Sequence, residues 1–159
     1  MIASDLTIRD SAAGNGALCR RILGLLPQWF GIADAVDHYV EVAENHPSVI
    51  ASVDGDDIGI TTVMRHSEYA AEIYVMGVVP TFHRRGLGRA MLDHVEAGLA
   101  QRGVEFLQVK TLSSAHPDPG YALTRAFYVA CGFRPLEEFP TLWDPSNPAL
   151  QLVKSIRSP

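Results

Sequence analysis

The chain has 159 residues, 47% of them hydrophobic, with 13 Lys and Arg against 18 Asp and Glu and a formal net charge of −5. That length suits one domain with a real core, and the acidic balance argues against a general nucleic-acid binder, which works by neutralising phosphates. No apolar run approaches the roughly 18–20 residues of a membrane span, and Asp5, Arg9 and Asp10 interrupt any signal-like start, so a cytoplasmic protein with no membrane partner is expected.

In chain order, Leu6 and Ile8 alternate with polar residues and predict a short strand over residues 5–9. Residues 17–26 read as a helix ended by Pro27. Cys19 within it and Cys131 further on form no metal or redox spacing, and the six histidines form no His-Glu-x-x-His cluster. A second helix is expected from Asp34, a cap candidate, to about Glu44. Val36, Val40 and Ala43 fall on one of its faces, and Asp37, His38, Glu41 and Glu44 on the other. Residues 49–53 and 58–64 predict strands joined by the hairpin signal Asp54-Gly55-Asp56.

Residues 70–78 add a third strand, halted by Pro80. Residues 88–102 predict a helix, with Leu87, Met91, Val95 and Leu99 spaced four apart and Gly103 as its stop. A strand at 106–110 follows, then a loop over 113–120. A helix from about Tyr121 comes next, with Leu123, Phe127 and Cys131 as its apolar stripe and Gly132 at its end. Strands at 133–137 and 150–154 close the chain, and residues 139–145 between them are too proline-rich for regular structure. The order β-α-α-β-β-β-α-β-α-β-β predicts one mixed α/β sheet with helices on both faces.

Most of the chemistry lies between Val78 and Leu92. A strand feeds a basic, glycine-rich loop, and the loop opens straight into a helix. Gly86 and Gly88 let the backbone turn sharply and aim its N–H groups at one point. With the helix N-terminus and Arg84, Arg85 and Arg89, those amides make a pyrophosphate site. The nucleotide loop Gly-x4-Gly-Lys-Ser/Thr is absent. A dinucleotide fingerprint fails because Met91 stands where a third small residue is needed. The other reading is a strand-to-helix turn whose glycines serve geometry alone.

The run His83-Arg84-Arg85-Gly86-Leu87-Gly88 resembles the acetyl-CoA loop of the GNAT superfamily of N-acetyltransferases, Gln/Arg-x-x-Gly-x-Gly/Ala, and departs from it at His83. A second segment, Thr124-Arg125-Ala126-Phe127-Tyr128-Val129-Ala130-Cys131-Gly132-Phe133, is similar to the family's Ala-x-x-Phe/Leu-Tyr-x-x-x-Gly-Phe. Both stand in the family's order and separation. Tyr121 holds the place of an Asn found in many members. The resemblance implies a single N-acetyltransferase domain over residues 1–159, with a mostly antiparallel mixed sheet of about six or seven strands and about four helices. It implies acetyl-CoA as cosubstrate and no metal. Its cofactor contacts would come from Met76, Gly77, Val78, His83, Arg84, Arg85, Gly86, Leu87, Gly88, Arg89, Tyr121 and Arg125.

The implied reaction is attack of an amine on a thioester carbonyl. At neutral pH an alkylamine is almost wholly protonated, and freeing it costs roughly 4 kcal/mol. A base must therefore act, donors must meet the charge on the carbonyl oxygen, and a thiolate must leave. Glu72, eleven residues before His83, resembles the glutamate base of the family's histone-acetylating branch; the other reading is a strand glutamate paired with a cation. By period two, Glu72, Tyr74 and Met76 share a face. His116, Asp118 and Glu41 are rival bases. Tyr128 is the acid candidate, against a core tyrosine with a satisfied hydroxyl. Backbone near Met76–Val78 is the oxyanion donor, with Gly77 read as a bulge or as a packing glycine.

For the acceptor, Trp29, Phe30, Tyr39 and Trp143, with Asp34, Asp37 and Glu41, suit a cationic amine or, equally, a core edge and a solvated face. A lid over residues 139–148 would favour a small-molecule amine over a protein lysine or N-terminus. A CoA-binding module without turnover is the reading from another class. A homodimer is left open.

Overall fold

The structure is a computed structural model that describes residues 5–157. Its elements are β1 (Leu6–Ser11), α1 (Gly16–Leu23), α2 (Ala33–Asn45), β2 (Ser48–Val53), β3 (Asp56–Arg65) and β4 (Ala70–Val78). A 3-10 turn at Pro80–Phe82 leads on to α3 (Leu87–Gln101), β5 (Phe106–Leu112), α4 (Pro119–Ala130), β6 (Arg134–Asp144) and β7 (Asn147–Ser155). The seven strands run in the order β1-β2-β3-β4-β5-β7-β6. Among the described residues, no helix is long and apolar enough to cross a membrane. Two compact units divide the chain within β4. The first runs to Met64 and takes up Tyr74–Leu99; the second holds Arg65–Ile73 and the chain from Ala100 on.

In the first unit, β1 pairs antiparallel with β2 and β2 with β3, with a bulge at Ala51/Ser52. The hairpin between β2 and β3 turns on Asp54 (φ 51°) and Gly55 (φ 87°), and two left-handed residues in a row give the twist such a tight turn needs. The core joins Cys19, Ile22, Leu23 and Leu26 to Ala43, Ile50, Ile60 and Val75. Ile22, Leu23, Ile50 and Ile60 are fully buried, each contributing about 2 kcal/mol by leaving water. On the other face of β3, Met91 of α3 packs over Gly59, and its sulfur lies 3.5 Å from the Thr61 hydroxyl. Helices thus cover both faces here. Ile32, with no side-chain capping bond, occupies the N-cap of α2, and Asp34 falls inside the first turn.

In the second unit, the first half of β4 pairs parallel with β5, from Ala70↔Phe106 to Ile73↔Val109. β5 pairs antiparallel with β7, and β7 with β6. The segment around Pro140 is strand, not the irregular connection expected. β6 ends the strand order, so its outer side has no ladder to lose to a proline, and register shifts at Pro135/Glu137 and Phe139/Asp144 absorb the misfit. The lid expected over residues 139–148 is therefore the turn and flanks of a long hairpin.

Of the stripe expected on α4, Cys131 is buried and Phe127 half-buried, but Leu123 is not part of it. Leu123 is 60% exposed, and Tyr128 is the buried residue of this helix, with Tyr121, Thr124 and Arg125 half-buried on the same side. The helix begins earlier than expected because Asp118 caps it, accepting from the N–H groups of Gly120 (2.7 Å) and Tyr121 (3.4 Å), with Pro119 in its first turn.

Candidate functional site

In the first unit, β4 delivers the chain at Val78 to the basic loop. The Val79 N–H donates to the Ile58 carbonyl (2.8 Å), and the 3-10 turn closes with the His83 N–H on the Pro80 carbonyl (3.1 Å). The His83 ring folds back so that its Nε2–H donates to the Val78 carbonyl at 2.6 Å, with the Trp29 ring edge-on at 6.0 Å. The departure from the family pattern at His83 thus becomes a clasp across the base of the loop. Arg84 (φ 61°) and Gly86 (φ 79°) are both left-handed. A Cβ on Gly86 would meet no protein atom within 4 Å, so its φ, not crowding by the chain, calls for glycine.

Helix α3 starts at once, with the Ala90 N–H on the Gly86 carbonyl (3.0 Å). The amides of Leu87 and Gly88 lie in its first turn, which has no intrahelical acceptors. Leu87 is buried and anchors the turn, and Arg84, Arg85 and Arg89 are exposed around it. The Arg85 guanidinium lies over the Phe82 ring at 5.2 Å. Positive side chains, a helix N-terminus and a left-handed backbone make a concave, electropositive surface whose chemistry suits an anion such as a pyrophosphate. Behind the loop, a Cβ on Gly77 would come within 3.1 Å of Ile22 and Leu26, so this glycine admits α1 onto the strand. Met76 and Val78 alternate with it and are half-buried.

The same unit gathers an aromatic cluster. Tyr74 of β4 meets His38 and Tyr39 of α2, ring centroids 5.5 and 6.0 Å away, and Tyr39 meets Phe30 edge-on at 5.8 Å. The Tyr74 hydroxyl and His38 Nε2 are 2.6 Å apart. Of the carboxylates expected beside an amine, Asp37 is paired with Arg20 at 2.9 Å, and Asp34 and Glu41 are exposed.

In the second unit, Glu72 is 4% exposed, with both oxygens engaged. His66 Nε2–H donates to Oε1 at 2.6 Å, and Lys110 Nζ donates to Oε2 at 3.0 Å. Tyr128 is buried between Phe127 and Phe133, ring centroids 5.2 and 5.5 Å away. Burial pushes its phenol well above the ordinary range, with the neighbouring Cys131 adding to the shift. Arg125 donates to the Leu112 carbonyl (2.8 Å) and holds the end of β5. Tyr121 is half-buried in the first turn of α4. Asp118 is the helix cap, and His116 Nδ1 accepts from the Asp118 N–H at 3.2 Å. Trp143 lies on β6, 43% exposed. Burial raises the Cys19 thiol to about 11.

The expected loop residues thus come together, as do Trp29 with His83 and Phe30 with Tyr39. Sequence reasoning missed His38, His66 and Lys110 as partners of Tyr74 and Glu72. It also missed Thr111, whose Oγ1 is buried without a hydrogen-bond partner in the second unit; nothing marks a threonine alternating with Leu107 and Val109 as different from core. Among the described residues, no group of three His, Cys, Asp or Glu side chains is placed to hold a metal.

Comparison with known proteins agrees with this geometry. The acetyltransferase (GNAT) domain family matches residues 44–135. An uncharacterised N-acetyltransferase of Chlorobaculum tepidum is 26% identical over 72% of this chain and 73% of its own. The ribosomal-protein-S18-alanine N-acetyltransferase of Escherichia coli superposes with a TM-score of 0.75 at 19% identity, over 97% of this chain and 96% of that one. An aminoglycoside 6′-N-acetyltransferase complexed with coenzyme A gives 0.74 at 17%, over 96% and 98%. With the family's domain covering more than half of its length, this chain belongs to the GNAT acetyltransferases.

Proposed function

We propose that the protein transfers the acetyl group of acetyl-CoA to a primary amine of a small molecule, by direct attack in a ternary complex. The observation that carries this is the left-handed, arginine-flanked loop opening α3. Its amides and Arg84, Arg85 and Arg89 take the pyrophosphate, and the pantetheine arm runs back along β4 past Val78, Gly77 and Met76. Backbone N–H groups of that stretch face the thioester oxygen.

Tyr128 acts on the leaving sulfur. Its phenol, held above the ordinary range by burial, keeps its proton and stabilises the thiolate as a hydrogen-bond donor rather than by full transfer. Glu72 is a strut between β4 and β5, since each of its oxygens already accepts a hydrogen bond, one from His66 and one from Lys110. The aromatic cluster of Phe30, Tyr39 and Tyr74 suits a small cationic acceptor. With residues 139–148 forming a hairpin in place of a lid, a peptide amine is the second reading.

The test is thiol release from acetyl-CoA against polyamines, aminoglycosides, amino acids and peptides. Release with small amines is expected. Release with peptides alone would move the acceptor to protein. Calorimetric binding of CoA with no release at all would leave a binding module.

A further inference from the structure

Glu72, both of its oxygens already accepting hydrogen bonds, leaves open which group takes the proton of the incoming ammonium. A polar pair of suitable chemistry lies in the first unit, next to the strand that leads to the loop. The Tyr74 hydroxyl and His38 Nε2 are 2.6 Å apart, Tyr74 is half-buried and His38 is exposed. From Tyr74 to Val78 the strand covers about 13 Å, a length on the scale of a pantetheine arm. An arm fixed at the loop and laid along β4 therefore brings its thioester toward Tyr74. The rings of Tyr39 and Phe30 continue from Tyr74 and give an ammonium group an aromatic wall.

We propose that Tyr74 and His38 form the proton-accepting pair of the acetyl transfer, Tyr74 touching the amine and His38 passing the proton to water. This rests on the acetyltransferase reading above. The pair requires the His38 tautomer with its proton on Nδ1, so that Nε2 accepts from the Tyr74 hydroxyl. The ammonium gives one proton to the Tyr74 oxygen while the phenolic proton moves to His38 Nε2. Tyrosine stays neutral and histidine becomes imidazolium. The freed amine lone pair forms the C–N bond, the C–S bond breaks with its electrons on sulfur, the nitrogen gives up its remaining extra proton through water to the departing thiolate, which leaves as the thiol, and the exposed imidazolium returns the first proton to solvent. The charged groups nearest His38 in sequence on α2 are Asp37, already paired with Arg20, and the exposed Asp34 and Glu41. No buried charge of that helix competes for the proton.

The test uses the full chain, acetyl-CoA and whichever of spermidine, kanamycin, phenethylamine or an alanyl peptide the wild type acetylates fastest. Tyr74→Phe and His38→Ala should each lower kcat by roughly 10²-fold near neutral pH, the lower end of general-base effects. The double variant should be no slower than the slower single one, because the two residues form a single path. Losses should shrink as pH rises and free amine becomes available. Added imidazole should restore part of the rate of His38→Ala and none of that of Tyr74→Phe. Losses that multiply in the double variant, or no rescue by imidazole, would overturn the relay. A lowered melting temperature with kcat intact would reduce the pair to a structural contact. A wild type that binds CoA in calorimetry but acetylates none of the four amines would instead sink the acetyltransferase reading, and the relay with it.

Discussion

Glu72 and Tyr74 stand two residues apart on β4, and the protein treats them in opposite ways. Glu72 lies in the second unit, buried, with Lys110 and His66 each on one of its oxygens. Tyr74 lies in the first, half-buried, its hydroxyl turned to an exposed histidine and its ring against other rings. A carboxylate is the stronger base in isolation, but a base acts only through a lone pair that substrate can reach. Two donors on a buried carboxylate occupy both of its oxygens and tie it down, as suits a strut. A tyrosine beside an exposed imidazole hands the proton to a group that can release it to water. Position along a strand therefore does not decide chemical role; the partners waiting at that position do.

The sharpest way to break this comparison is Glu72→Gln. Removing one member of a buried ionic cluster leaves the others desolvated without compensation, at about 3–5 kcal/mol. Lys110 is 25% exposed and His66 38%, so both can recover some hydration. The expected loss is about 3 kcal/mol, a fall in melting temperature of roughly 6–12 °C for a chain of this length. The pH–rate profile of the folded fraction should match wild type. A stable variant with a rate lost at neutral pH and regained at high pH would make Glu72 the base and undo the contrast with Tyr74. Replacing Glu72, His66 and Lys110 together by apolar residues of similar volume should recover most of the stability, since only the unpaired charges are costly.

Tyr128→Phe gives the next effect. Here a buried group of the second unit is asked to do chemistry, against the pattern set by Glu72. With its phenol pushed up by burial, Tyr128 contributes a hydrogen bond to a developing anion, about 1.5–3 kcal/mol. The kcat should fall by roughly 10–100-fold, with KM for the amine little changed, because the bond strengthens only in the transition state. The ring contacts to Phe127 and Phe133 survive the change, so the melting temperature should hold. A destabilised variant with normal kcat would place Tyr128 with Glu72 among the structural groups.

Much of this architecture was legible in the sequence, and the exceptions have physical causes. Strand β4 and the loop-to-helix transition follow from alternation, Pro80 and the glycines, all local signals. The turn at Asp54-Gly55 is equally local. The second half of β6 was hidden because Pro140 and its neighbours read as breakers, while its first half, at 133–137, was expected as strand; its place at the end of the strand order makes the prolines tolerable. On α4, Phe127 and Cys131 were placed on the covered side as expected, but Leu123 was put there in place of Tyr128 because an aliphatic residue outweighs a tyrosine in a hydrophobic count, although a phenol buries more surface. The loop site was readable because backbone conformation is coded by nearby residues. The pairs His38–Tyr74 and Lys110–Glu72 were not, since their members lie 36 and 38 residues apart and period gives a face but never a partner.

The smallest expected effect sharpens the comparison from the other side, with an ion pair that water reaches. Arg9 holds Asp57 in a two-pronged contact at 2.8 and 3.1 Å, and Ser52 adds a hydrogen bond. The side chains are 49% and 30% exposed. The Arg9 hydrogen bond, helped by Ser52 and by the charges of Arg9 and Arg21, holds the Asp57 carboxyl below its ordinary value, against a smaller opposing effect of burial. A carboxyl whose folded value lies below its unfolded one adds stability above the unfolded value, near 3.8, and loses it as pH falls through the folded one. Asp57→Asn should therefore cost stability at about pH 6, and the cost should vanish as acid protonates both the unfolded and the folded state. The cost should be only about 0.5–1 kcal/mol, because water screens the pair. Urea unfolding of both proteins from pH 2 to 7 measures it. A gap that persists unchanged at the acid end would mean that Asp57 acts through packing, not charge. A gap as large as that of Glu72→Gln would mean that burial does not separate the two ion pairs after all.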